Sequence, residues 1–93
     1  MGIDRKAAAT WSRDRIKEEI TDLRRQIADF RSEAEQLRAA AGDLAAQIDS
    51  GEHPYSRSSD PYKHTDPMYD EASHLGEIAD KLEPDVEFLK SLL

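Results

Sequence analysis

Ten apolar side chains recur between Ile16 and Ile48 at steps that alternate four and three without a slip. They are Ile16, Ile20, Leu23, Ile27, Phe30, Ala34, Leu37, Ala41, Leu44 and Ile48. An α-helix carries positions so spaced on one stripe, and a seven-residue repeat keeps that stripe facing a single neighbour. In heptad terms, a is 20, 27, 34, 41 and 48, and d is 16, 23, 30, 37 and 44. The same alternation returns at Met68, Ala72, Leu75, Ala79, Leu82, Val86, Leu89 and Leu93. The chain therefore reads as all-α: two heptad helices that pair as an antiparallel coiled-coil hairpin.

Punctuation sets the limits of these helices. Asp4, Thr10 and Ser12 are each able to cap the first helix, and Gly51 is able to end it in the left-handed conformation. The first helix is predicted over about residues 4–50, and Gly42 inside it costs roughly 1 kcal/mol. A connection over about 51–66 holds Pro54, Pro61 and several serines. Asp60-Pro61 and Asp66-Pro67 pair a capping residue with proline at the first helical position. The first pair predicts a single turn, and the second predicts a helix over about 67–93, kinked near Pro84. The 93 residues make one domain.

One register matches large side chains to small ones. If Ile48 lies opposite Met68, residue numbers in every layer total 116, and Ala34, Ala41, Ala72 and Ala79 each face a leucine. That pairing engages the first helix only from Leu23 onward. Residues up to Ile20, with Ile16 and Trp11, then project about 20–30 Å past the second helix at 1.5 Å per residue. Ile78, Phe88 and Leu92 also lie off the seam of the second helix. An apolar face without an intrachain partner requires one from elsewhere, so a homodimeric four-helix bundle is expected. The e positions Lys17, Arg24, Arg31 and Arg38 are basic, and Glu19 and Glu33 occupy g. Parallel contact of two first helices would pair Glu19 with Arg24 and Glu33 with Arg38 of a second copy.

Charge narrows the partner class. The net charge is -7. Residues 1–20 carry five basic and four acidic groups, and residues 68–93 carry two basic and seven acidic. This balance argues against direct binding of nucleic acid, which takes clustered Lys and Arg. No apolar run reaches membrane-spanning length, and residues 1–10 lack the apolar core of a signal peptide, so a protein that is cytoplasmic, or exported by a route without a cleaved signal, is expected. Cysteine and asparagine are absent, which excludes disulfides, thiolate metal sites and N-glycosylation.

Motifs for chemistry are sparse. The chain has no phosphate-binding glycine loop and no His-Glu-x-x-His. Asp70 and His74 lie four apart, and with His64 or Asp66 they have metal-ligand chemistry; the plainer reading is an ordinary surface pair. Neither a cofactor nor an enzymatic activity is expected. The reading is a small acidic adaptor, regulator or inhibitor that binds a protein through Trp11, Ile16, Ile20, Tyr55, Tyr62, Tyr69, Ile78, Phe88 and Leu92. An alternative is an acidic mimic of nucleic acid, of the phage-inhibitor kind, with Glu77, Asp80, Glu83, Asp85 and Glu87 along one exposed strip. A second alternative is a small structural part of a virion or secretion assembly.

Tyr62-Lys63-His64-Thr65-Asp66 resembles the Tyr-x-x-x-Asp/Glu export signal of the small helical-hairpin proteins of type VII secretion. Their Trp-x-Gly turn is missing, and the signal precedes the second helix instead of following it. The sequence is assigned to no family.

Overall fold

The computed structural model describes residues 3–93. The chain forms α1 (Arg5–Ala8), α2 (Arg13–Asp49), a 3-10 turn (Pro54–Arg57) and α3 (Asp66–Ser91), with no strand among the described residues. Arg31 meets Asp80 and Glu83, and Asp49 meets Tyr62, so α2 and α3 run antiparallel. The molecule measures 60 × 17 × 13 Å, close to the length that 37 helical residues give at about 1.5 Å each. No helix among the described residues is long and apolar enough to cross a membrane.

The heptad stripes form the seam. Ile27, Ala34, Ala41 and Ile48 of α2 and Ala72, Ala79, Leu82, Val86 and Leu89 of α3 are buried. Burial of each large aliphatic side chain contributes about 1.5–3 kcal/mol. The alanines lie deepest, at 0–1% exposure. Phe30, Leu37, Leu44, Met68 and Leu75 are only half-buried beside them.

Contacts along one flank of the seam bring particular residues of the two helices together. Arg31 reaches Asp80 at 3.3 Å and Glu83 at 3.0 Å. A β-carbon on Gly42 would lie 3.9 Å from the Tyr69 hydroxyl, and one on Gly76 3.9 Å from an Arg38 guanidinium nitrogen. These pairs join positions beside the core layers, where long side chains reach across the edge of the seam.

The N-terminal end differs too. In place of one helix from residue 4, α1 is a single turn, and the backbone bends at residues 9–12 before α2 begins. Asp4 caps α1 by accepting from the Lys6 and Ala7 amides, and Ser12 caps α2 by accepting from the Arg15 amide. Thr10 donates its hydroxyl to the Ala7 carbonyl and helps to close α1.

At α3, Thr65 takes the cap position and makes no side-chain capping bond; Asp66 is helical and Pro67 follows in the first turn. Asp66 was the expected cap. The Thr65 hydroxyl instead donates to the Tyr62 carbonyl, and the residue is buried. α3 continues through Pro84 to Ser91 as one helix. Pro84 and Asp80 are exposed, so water reaches the Asp80 carbonyl that loses its amide partner.

Candidate interaction surfaces

Three regions hold the side chains that the sequence singles out. The first is the N-terminal hook made by α1 and the bend. Ala8 is fully buried and shares a core cluster with Ile16, Ile20, Leu23, Ile27, Leu82, Val86 and Leu89. Ile3, Trp11, Phe30, Phe88 and Leu92 pack against that cluster. Arg5 lies over the Phe88 ring and pairs with Asp85 at 3.6 Å. Arg15 lies over the Trp11 ring, 4.3 Å from its centroid.

This arrangement corrects the expectation of an unpartnered projection. Ile16 and Ile20 are 3% and 6% exposed, in one cluster with Ala8 of the hook and Leu82, Val86 and Leu89 of α3. Phe88 and Leu92, read as surplus, lie against the same cluster. Small side chains at Ala7–Ala9 allow this close approach. The sequence did carry the signal, in Ser12 as a second capping residue, but an uninterrupted helix fits the same letters.

The second region is the pair of grooves flanking the seam. On the arginine flank, Arg31 bridges Asp80 and Glu83, and Tyr69, Gly76 and Glu83 follow one another at seven-residue steps along α3. Arg31 is thereby committed within its own chain; the pairs expected with a second copy, Glu19 with Arg24 and Glu33 with Arg38, do not involve it. On the opposite leucine flank, an open groove of about 320 Å³ lies between Leu37 and Leu75, rimmed by Glu33, Gln36 and Glu71. Ile78, three residues past Leu75 and seven past Glu71, is half-exposed on this side.

The five carboxylates of the acidic alternative do not form one free strip. Asp80 and Glu83 bind Arg31, and Glu87 pairs with Lys90. Asp85 is two residues from both Glu83 and Glu87, far around the helix from each, and its side chain is 13% exposed beside Arg5. Glu77 is exposed. Helical geometry at about 100° per residue keeps Glu77, Asp80, Glu83 and Glu87 on one face and sets Asp85 apart from them.

The third region is the tip. Gly51, at φ +79°, turns the chain out of α2 where an L side chain would be strained. The Ser56 hydroxyl donates to the Ile48 carbonyl and ties the connection to the helix end. The His53 Nδ1 accepts the Tyr55 amide at 3.1 Å. Tyr55 stands between His53 and His64, with ring centroids 4.4 and 4.3 Å away. Asp60-Pro61 opens the expected turn, as the Lys63 amide donates to the Asp60 carbonyl. The Tyr62 hydroxyl donates to Asp49, a bond that pushes its phenol above the usual pKa.

The tyrosines are therefore not one patch. Tyr55 and Tyr62 sit at the tip, and Tyr69 lies along the arginine flank. They are 36%, 39% and 40% exposed. Among the described residues no group of three or more His, Asp or Glu is placed to hold a metal ion. Comparison with protein-family models, with curated proteins and with solved structures finds no match.

Proposed function

We propose that the chain is a non-enzymatic protein-interaction module, a small acidic adaptor, regulator or inhibitor that works through its helical surfaces. The observation that carries this reading is the apolar surface left open on the leucine flank. Both flanks carry grooves, but the one on the arginine flank is lined by Arg24, Arg31, Glu83, Glu87 and Lys90, whereas Leu37 and Leu75 are half-buried at the floor of the other and Ile78 is partly exposed beyond it. Partly exposed large side chains within an otherwise charged surface are what binding faces offer. The tip tyrosines add rigid, amphipathic contact area.

The acidic-mimic alternative has less support, since four of its five carboxylates have basic neighbours. Dimerisation into a four-helix bundle has also lost its chief motive, because the hook covers the apolar side chains that called for it. Affinity capture with the full chain from its native source, followed by mass spectrometry, tests the reading. A partner recovered in fixed stoichiometry is the expected result. Recovery of nucleic-acid enzymes that release the chain on charge reversal at Asp80 and Glu87 would instead favour the mimic.

A further inference from the structure

The hook shows what the leucine flank accepts. Glu71, Ile78, Asp85 and Leu92 follow one another at seven-residue steps and so form one line along α3. The hook occupies the far end of this line. Arg5 meets Asp85, and the fully buried Ala8 belongs to the cluster against which Leu92 packs. In chemical terms, a short helical turn presents a small apolar side chain to the seam and a cation to the carboxylate beside it. The line then continues, uncovered, through Ile78 to Glu71. There the groove between Leu37 and Leu75 again has an apolar floor and carboxylates, Glu33 and Glu71, on its rim.

We propose that this groove receives a short amphipathic helix of another protein, with small and aliphatic residues on its inner face and Lys or Arg on its flanks, lying in line with the hook. The proposal rests on the protein-binding reading and adds to it the site and the chemistry of the partner. Charge complementarity selects this occupant. A second copy placed face to face by a two-fold axis would set Glu33 and Glu71 against the same carboxylates, and like charges across an interface are unfavourable. A basic helix meets both as Arg5 meets Asp85.

The test uses the full chain and two synthetic amphipathic helical peptides with the same Leu/Ala face. One has Lys and Arg flanks, and the other has Glu flanks. Fluorescence anisotropy should detect the cationic peptide only, with affinity falling as salt is added. Glu33→Lys with Glu71→Lys should weaken binding on the order of tenfold. Glu35→Lys with Glu77→Lys makes the same change in net charge on exposed positions away from the groove, and should leave most of the binding intact. Shift perturbations in the wild-type chain should centre on Leu37, Leu75 and Ile78, a readout independent of any variant's folding.

The inference is overturned if neither peptide binds, if the two charge-reversal pairs weaken binding equally, or if the perturbed residues lie elsewhere. It is also overturned if sedimentation shows a dimer that Glu33→Lys with Glu71→Lys abolishes. A partner captured from the native source that those substitutions fail to release would refute the groove assignment and leave the interaction-module reading standing.

Discussion

The guanidinium of Arg5 lies 5.0 Å from the centre of the Phe88 ring. It holds the first turn of the chain against the last turns of α3, with the buried Ala8 behind it. Replacing Arg5 with Ala is expected to cost a few tenths of a kcal/mol, because the side chain is about half exposed. Removing residues 1–11 has a larger consequence. It uncovers Ile16, Ile20, Phe88 and Leu92 together, so the shortened chain should bind a hydrophobic dye and self-associate, seen by sedimentation as a concentration-dependent rise in mass. A monomeric, dye-silent truncation would show that the hook covers nothing of consequence.

The arginine flank makes a prediction about Arg31. A double-mutant cycle between Arg31→Ala and Glu83→Ala should give a coupling of about 0.3–1 kcal/mol that fades with salt. The cycle with Asp85→Ala, whose carboxylate pairs with Arg5 on the other flank, should give none. Urea denaturation of the four chains in each cycle measures this directly.

Three glycines separate by conformation. Gly42 and Gly76 are helical, and a β-carbon at either would make ordinary contact at 3.9 Å. Gly42→Ala and Gly76→Ala should each stabilise by about 0.5–1 kcal/mol. Gly51 has φ +79° with open space around it, so Gly51→Ala should destabilise by about 1 kcal/mol through backbone strain alone. Thermal melts followed by helical circular dichroism distinguish the two signs.

Tyr62 predicts a pH dependence. Its phenol titrates above the ordinary value of 10.0 because it donates to Asp49. A group whose pKa is raised on folding stabilises fully below its unfolded pKa and loses that contribution as pH rises through the folded one. The stability difference between wild type and Tyr62→Phe should therefore be constant near neutrality and shrink above pH 10. In an ultraviolet phenolate titration, Asp49→Asn should move one of the three tyrosines to lower pH. A titration unchanged by that substitution would discount the bond.

The seam was legible because burial imposes a period: once Ile27, Ala34 and Ala41 shared a stripe with Phe30 and Leu37, only a paired helix could cover it. Gly51 and the Asp60-Pro61 turn were legible because their backbone needs are local. The ion pairs of Arg31 with Asp80 and Glu83 were not, because matching Ala34 and Ala79 to leucines weighs volume alone and says nothing of the flank. The hook was not legible either, since Ala7–Ala9 favour helix wherever they are, and only the meeting of Ala8 with the end of α3 shows that the helix turns back. Of the candidate surfaces, Tyr55, Tyr62 and Ile78 lie where sequence reasoning left them open. Ile16 and Ile20 do not, and for the same reason.

The antiparallel course and the hook set a polarity for the whole molecule. Arg5 and Leu92 belong to one pole, and Tyr55 belongs to the other, in a body 60 Å long. Anything attached near either of the first and last described residues is thereby held at the same pole. A chain anchored there points its aromatic tip outward, and the leucine flank runs along the shaft between anchor and tip. Held so, the chain would set Tyr55 at the far end of a body 60 Å long.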